Sequence, residues 1–414
     1  MSRFGIALRV LFAIVLAPWT FGAVSAGCRF GHDTHAMTAR GASLFAWARE
    51  HLDEDWHGYA LGDDLGVGAF DAILLSELAV GLHQSARLEP AREEESARLL
   101  RVVADRIVSA DVAPQGRALE RMPLDDHNLY FTHALLVLSL SRMHGDDRRD
   151  ALASSLARHL DARSRESETF HARSYPGSPR WPADQSATLA ALHAYRAGYG
   201  GDVGERATRG WLAWMEHHRV EGDLPWSATG DTSYTRIPRG CALSYITFYG
   251  AQFAPAESDR LYRAYVARHG LDVLGVSGFR EWPPGVDRGS DADAGVVLFG
   301  WGMAATGIGL GAARIHGDEA RVVGIERIAD LVGVPVGRSY ALAPTLGMAM
   351  LFAGETATPW VGGGEVEAPP PRTSPDVPTL PLAIAAAWLA LELVVLRPVA
   401  RHIVARVRAR RAPT

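Results

Sequence analysis

The residues best suited to acid–base chemistry form an aspartate-rich stretch in the second half of the chain. Asp291 and Asp293 stand two residues apart, shortly after Asp287 and Arg288. Two neighbouring carboxyl groups can take different pKa values, so that one donates a proton and the other accepts one. Such a pair can also bind a divalent cation, but no histidine or second pair stands nearby, and we predict no metal. The structural alternative is that Asp291 simply caps a helix beginning there.

A second candidate acid, Asp184, follows Trp181 and Pro182 at the start of a predicted helix. Proline at the first helical position with an acidic residue two places later is an ordinary helix start, so capping alone would explain Asp184. The loop before it, however, carries the aromatic and basic residue types found in ligand sites. We therefore predict Asp184 to transfer protons, and Trp181 and Gln185 to bind substrate.

Two earlier loops add further candidates. Asp53 is followed six residues later by Tyr59, and His133 lies inside an apolar helical run. A histidine in such a run is more often a core residue whose hydrogen bonds are satisfied. We predict proton transfer by Asp53 and His133, and substrate binding by Tyr59. The remaining substrate-binding candidates are Tyr234, Arg239, Cys241 and Trp282.

All these candidates lie in, or close to, connections between helical segments. Apolar residues recur at helical spacing and β-branched runs are scarce, which predicts an all-α fold. The twelve helices that we predict span residues 36–52, 68–86, 93–110, 127–144, 148–162, 182–199, 203–219, 240–253, 256–269, 290–315, 317–332 and 339–353. The connections into the even-numbered helices are mostly long and the return connections are short. Long connections in a compact domain are usually functional.

The even-numbered helices are also the more apolar, as in residues 72–75 and 134–138, whereas the odd-numbered ones carry charged faces. A helix that is apolar all round is buried, and a one-sided helix lies at the surface. We therefore predict an (α/α)6 barrel, in which long loops surround one cavity. An irregular helical array or solenoid is the alternative. The predicted inner ring comprises residues 68–86, 127–144, 182–199, 240–253, 290–315 and 339–353.

Both ends of the chain are apolar. The N-terminus has the basic start, short apolar run and small residues of a cleavable secretory signal, with an uncleaved anchor as the alternative. Near the C-terminus, an apolar run with one charge, Glu392, is just long enough to span a bilayer and precedes several arginines. An amphipathic tail lying on the membrane surface is the alternative. Because arginines favour the cytoplasmic side, the helical domain is predicted to lie outside.

The sequence thus predicts five segments: a signal peptide or anchor (residues 1–26), a barrel domain (30–355), a proline-rich linker (356–379), a transmembrane helix (380–397) and an arginine-rich cytoplasmic tail (398–414). A net charge of −5 indicates no nucleic-acid partner. Two cysteines, Cys28 and Cys241, provide no disulfide framework. The predicted partners are a small-molecule or glycan substrate and, through the C-terminal helix, the lipid bilayer.

This layout resembles the linalool dehydratase/isomerase family, cofactor-free enzymes built on an (α/α)6 barrel. The similarity spans roughly residues 45–330, in arrangement more than in identity. Asp53 with Tyr59 resembles an Asp and Tyr at the end of the family's first helix. Residues 129–133 are similar to the stretch carrying its catalytic histidine, and residues 182–200 to its third inner helix. Residues 290–295 resemble its Asp-rich start of the fifth inner helix.

The resemblance fails at the family's two cysteines around the third inner helix, where this chain has Trp181 and Asp184. It therefore implies a fold and a site location more than terpenoid chemistry. Our first hypothesis is a cofactor-independent lyase or isomerase that works by acid–base catalysis in the barrel cavity. The alternatives are a glycan-processing enzyme (a glycoside hydrolase, polysaccharide lyase or sugar epimerase) and a non-catalytic tethered binding or assembly protein. A closed apolar cavity favours the first, an open aromatic groove the second, and a filled core the third.

Overall fold

The computed structural model describes residues 3–31, 36–52, 69–220, 223–230, 235–286, 288–336, 338–340, 343–360 and 376–411. Over these residues the chain is mostly helical with a few short strands, which confirms the all-α prediction. The helices are α1 (Arg3–Gly27), α2 (Ala39–His51), α3 (Ala69–Leu88), α4 (Glu93–Ile107), α5 (Asn128–Met143), α6 (Asp150–Glu166), α7 (Pro182–Tyr199), α8 (Glu205–His217), α9 (Gly240–Gly250), α10 (Pro255–His269), α11 (Met303–Ile315), α12 (Glu319–Gly333), α13 (Thr345–Glu355) and α14 (Thr379–Arg411).

The strands form four antiparallel hairpins in the connections between helices. They are β1 (Arg219–Val220) with β2 (Leu224–Pro225), β3 (Gly270–Val273) with β4 (Val276–Phe279), β5 (Val297–Leu298) with β6 (Trp301–Gly302), and β7 (Pro335–Val336) with β8 (Ser339–Tyr340).

Two predicted helix starts were wrong. The helix predicted from residue 290 begins at Met303, and the one predicted from residue 339 begins at Thr345. In the first case the β5–β6 hairpin takes the place of the expected first turns. Its turn residues, Phe299 and Gly300, both have positive φ, which suits a tight hairpin turn and ends any helix. Asp291 therefore caps no helix, and its carboxylate accepts a bond from the Ala294 amide at 2.8 Å.

Helices α3, α5, α7, α9, α11 and α13 pack one against the next, and α13 packs back against α3. These helices are buried over most of their surface, because their sequences are apolar on all sides. The helices between them bury one face only: in α4, Leu99, Leu100 and Val103 are buried while the opposite face is charged. The main hydrophobic core lies among these helices.

Helices α1 and α14 lie beside each other along much of their length. Arg9 donates to the Val395 carbonyl at 3.2 Å, and the Thr20 hydroxyl donates to Glu392 at 2.7 Å. Within the described chain, both are long and apolar enough to cross a bilayer, over Phe4–Gly27 and Thr379–Val404. Most of their side chains are exposed, unlike those of a core helix. The C-terminal helix continues to Arg411, so much of the predicted tail is helical.

The end of α1 is joined to the helical domain by a cluster around Asp330 of α12. Its buried carboxylate accepts bonds from Ser25 at 2.9 Å, from Arg29 at 2.6 Å and from Tyr340 at 2.8 Å. Arg40 of α2 forms a further ion pair with it. Gly22 makes this approach possible, since a side chain there would meet the Asp330 carbonyl oxygen at 2.6 Å. The N-terminal segment therefore packs as part of the folded chain.

Candidate functional site

A cavity of about 860 Å³ opens at the N-terminal halves of α3, α5, α7, α9, α11 and α13. Most of its lining is apolar, and a few polar groups face it, chiefly Asp184, Asp293, Arg239 and Tyr245. Its volume lies in the range of small-molecule sites, which typically combine an apolar wall with a few placed polar groups. The predicted proton-transfer residues can be compared directly with this space.

Asp184 lines the cavity from the first turn of α7. Its carboxylate accepts a hydrogen bond from the buried Ser174 hydroxyl. The helix has Trp181 as its N-cap, with no side-chain capping bond, so Asp184 does not serve as the cap. Burial raises the pKa of Asp184 to about 7, and the charge of Asp293 adds to the rise, against the Ser174 bond that lowers it. A carboxyl group with this pKa can both donate and accept protons near neutrality.

Two aromatic rings stand beside Asp184. Trp181 and Tyr175 both line the cavity, and their ring centroids are 5.7 Å apart. Rings of this kind provide apolar contact area with a polar edge, which suits substrate positioning. The predicted binding residue Trp181 therefore lies at the cavity, and Tyr175 from the same loop joins it.

Arg239 organises the other polar wall. Its guanidinium donates to Glu281 at 2.9 Å and to Asp291 at 2.8 Å, and lies 3.9 Å from the Asp293 carboxylate. It also stacks over the Trp282 ring, 4.9 Å from the centroid. Three carboxylates thus converge on one nearly buried cation. Asp293 faces the cavity, whereas Asp291 and Trp282 stand behind it as partners of Arg239.

Cys241 lines the cavity from the first turn of α9, next to this cluster. Its thiol donates to Glu281 at 3.2 Å, and its backbone amide donates to the same carboxylate at 3.1 Å. Burial raises the pKa of the Cys241 thiol well above its ordinary value, and the charge of Glu281 adds to the rise. The reactive thiolate is therefore suppressed, and Cys241 is suited to contact a ligand but not to attack one.

His133 is fully buried and does not line the cavity. His133 Nδ1 lies 2.6 Å from the Ser76 hydroxyl oxygen, and Nε2 lies 3.3 Å from the Tyr245 hydroxyl oxygen. In the neutral ring, one of these two nitrogens donates a hydrogen bond and the other accepts one. Burial lowers the pKa of His133 to about 3, so the ring stays neutral. Its direct contact with the site is through Tyr245.

A buried acid below the cavity was not among the sequence candidates. Glu77 of α3 accepts a hydrogen bond from the Tyr249 hydroxyl at 2.8 Å, and the Tyr249 ring lies 4.7 Å from that of Tyr245. Burial raises the pKa of Glu77 to about 7. The available signal was one acidic residue within the apolar run 72–80. Tyr245 gave no such signal, since it stands in an apolar helix where aromatic residues are ordinary core.

The remaining predicted residues divide into two groups. Gln185 is buried away from the cavity, where it accepts from the Ala172 amide at 2.8 Å and donates to Ser164 at 2.9 Å. It therefore fixes the loop before α7 instead of contacting a ligand. Three predicted residues lie outside the described part of the chain: Asp53, Tyr59 and Tyr234.

Comparison of the sequence with protein-family models and with curated proteins gave no match. The functional argument therefore rests on the geometry of the cavity. Among the residues that the structure describes, no group of three or more histidine, cysteine or acidic side chains is arranged to hold a metal ion. The arrangement brings together a carboxyl group of raised pKa, a second carboxylate beside an arginine, and an apolar wall.

Proposed function

We propose that this protein is a membrane-tethered (α/α)6-barrel enzyme that carries out acid–base chemistry on a hydrophobic substrate, without a cofactor. The barrel is supported by the packing of α3, α5, α7, α9, α11 and α13, each against the next and the last against the first. It is further supported by the contribution of all six N-terminal halves to one cavity. The observation that carries the activity is Asp184, a carboxyl group of raised pKa facing this mainly apolar space.

The two cavity acids suit complementary roles. Burial raises the pKa of Asp293 above its ordinary value, and the Arg239 guanidinium opposes this rise by favouring the carboxylate, whereas the partner of Asp184 is the Ser174 hydroxyl. In an elimination, Asp184 protonates a hydroxyl group, which leaves as water, and Asp293 accepts a proton from the adjacent carbon. The proton gained by Asp293 balances the one lost by Asp184. Readdition of the water at another carbon gives an isomer, so both reaction types fit one site.

The lining of the cavity favours this hypothesis over the two alternatives. A glycan site needs many polar partners for hydroxyl groups, whereas most of this wall is apolar. An unfilled space of about 860 Å³ at the centre is also unexpected in a scaffold whose helices only hold one another. We place the domain outside the cytoplasm, because the paired α1 and α14 have their arginine-bearing ends on the same side.

The test uses the full-length protein in lipid nanodiscs and a panel of unsaturated alcohols of different size. Products are identified by mass spectrometry as molecules that have lost water or as isomers of equal mass. Asp184→Asn should lower turnover by roughly 10²–10⁴-fold, the usual contribution of a positioned acid or base. The control is Asp202→Asn, the same change in the exposed turn after α7, which should behave as the wild type. Equal turnover in the two variants would exclude Asp184 as the acid.

A further inference from the structure

The cavity extends well beyond its acids, into an arm between α11, α12 and α13. One side of α12 lines this arm with Ile325, Ile328, Ala329 and Val332, and α13 lines it with residues 346, 347, 350 and 351. None of these side chains carries a charge. The arm thus adds a long apolar space to a reaction site that needs only a few polar groups.

The arm runs next to the membrane helices. Helix α12 packs against α1, and its Asp330 and Glu326 face Arg29 at the end of α1. The neighbouring face of the same helix lines the arm. Val332 belongs to that face, is 43% exposed, and stands two residues from Asp330, which contacts Arg29.

Other apolar side chains place this edge of the domain at a bilayer surface. Val336 of β7 is exposed, and the β7 strand contacts α1. Leu274, at the tip of the β3–β4 hairpin, is 60% exposed, and its carbonyl accepts from the Leu380 amide at the start of α14 at 2.9 Å. Exposed apolar residues of the domain therefore lie beside α1 and beside the N-terminal end of α14. Exposed apolar patches of this kind are typical of surfaces that contact a membrane.

We propose that the cavity takes an amphiphile with a long hydrocarbon chain directly from the bilayer. The polar end of the ligand lies at Asp184 and Asp293, and its chain lies in the arm between α11, α12 and α13. Entry is beside Val332, next to α1, so the chain need not cross water on its way to the site. The assignment of the polar end rests on the proposed function, whereas the binding of the chain does not.

At two glycines that line the cavity, a larger side chain can be introduced to fill the arm without disturbing the backbone. A Cβ at Gly347 of α13 would meet only Pro344 and Ala343, at 3.4 Å or more, and all three residues line the cavity. A Cβ at Gly307 of α11, also a lining residue, would meet nothing within 4 Å. Gly198 of α7 is a matched control, because it lies outside the cavity and its nearest neighbour would be 3.5 Å away.

The experiment uses hexadecanol carrying a photoreactive diazirine at its chain end, added to the full-length protein in phosphatidylcholine nanodiscs. After illumination, labelled peptides are mapped by mass spectrometry. The label is expected in residues 328–338 and 339–372, which cleavage after arginine separates from α1 and α14. Gly347→Leu and Gly307→Leu should each lose this label while unfolding at the wild-type temperature, and Gly198→Leu should keep it. Unlabelled hexadecanol should compete, whereas water-soluble butanol should not.

Label confined to α1 and α14, or unchanged in both cavity-filling variants, would overturn the inference. Competition by butanol equal to that by hexadecanol would also overturn it, because the site would then bind small alcohols from water. Photolabelling measures binding of the hydrocarbon chain and does not require catalytic turnover. If Asp184→Asn keeps full activity but the arm is labelled, the proposed function fails and the lipid site stands.

Discussion

Asp184 and Cys241 both line the cavity, and burial raises the pKa of both. For the carboxyl group the rise brings the pKa to about 7, where protons are readily exchanged. For the thiol, whose ordinary pKa of 9.0 already lies above neutrality, burial moves the pKa further from neutrality, and the charge of Glu281 adds to the rise. Burial therefore suits the Asp184 carboxyl group to proton transfer and keeps the Cys241 thiol protonated and unreactive.

Cys241→Ala should accordingly leave turnover close to that of the wild type. The substitution removes one hydrogen bond to Glu281, which keeps those from Arg239 and from the residue 241 amide. Turnover is measured with the alcohol that the panel identifies, alongside Asp184→Asn. Alkylation of Cys241 by iodoacetamide should also be slow in the folded protein, and is measured on the peptide that contains Cys241 because Cys28 is exposed. A loss of activity as large as that of Asp184→Asn would mean that the thiol takes part in the chemistry.

The sequence was informative about residues in loops and less so about residues within helices. Asp184 and Trp181 could be predicted because acidic and aromatic residues stand together before an apolar helix. His133 was also noticed, but its burial behind Tyr245 depends on how α5 and α9 pack. Gln185 follows Asp184 directly and points elsewhere, since adjacent residues of a helix face different directions. The direction in which a helical side chain points depends on how the helix packs against its neighbours, and amino-acid composition does not specify that packing.

Among the elements, the contact of α1 with α12 is the least expected from the sequence. An apolar N-terminal run followed by small residues is typical of a cleaved signal, and Ser25 belongs to that predicted cleavage site. In the structure Ser25 and Arg29 instead bind Asp330, together with Arg40 and Tyr340. These contacts belong to the chain with α1 attached, in which α1 pairs with α14; the cleaved signal and the anchor both stay predictions.

Asp330→Ala tests this junction, because it leaves the buried Arg40 without its closest carboxylate partner. Removing one partner of a buried ion pair typically costs about 3–5 kcal/mol of unfolding free energy. Asp105→Ala is the control: it removes a half-exposed partner of Arg148, which is itself about half exposed, and should cost about 0–1 kcal/mol. Thermal unfolding in detergent measures both. Equal unfolding temperatures would show that the Asp330 cluster contributes no more than a surface ion pair.

Helix positions were predicted better than the hairpins between them. The β3–β4 and β5–β6 turns contain Leu274-Gly275 and Phe299-Gly300, and all four residues have positive φ. A bulky residue before glycine is a weaker turn signal than Asn-Gly or Asp-Gly, so both hairpins were overlooked. This affects the candidate site, because Asp291 and Asp293 precede the β5–β6 hairpin in a loop, from which Asp293 lines the cavity and Asp291 binds Arg239.

In the molecule as a whole, the helices that line the apolar cavity are in contact, through α1, with the two paired candidate membrane helices, α1 and α14. Helix α12 links them, because one of its faces lines the cavity and another packs against α1. The alternation of long and short connections in the sequence indicated one end of the domain as the site. The connection lengths gave no indication that this end of the domain lies beside the two candidate membrane helices. That arrangement depends on contacts between residues some 300 positions apart, such as Ser25 with Asp330.

The proposed activity requires a carboxyl group in the cavity that is still protonated near neutral pH. Infrared difference spectra of the wild type minus Asp184→Asn, recorded across a pH series, test this without knowledge of the substrate. A protonated-carboxyl band should persist above the ordinary aspartate pKa of 3.8 and disappear around pH 7. Asp202→Asn should show no such difference from the wild type. Loss of the Asp184 band already near pH 4 would rule out Asp184 as the acid, because it would then be ionised at neutral pH and unable to donate a proton.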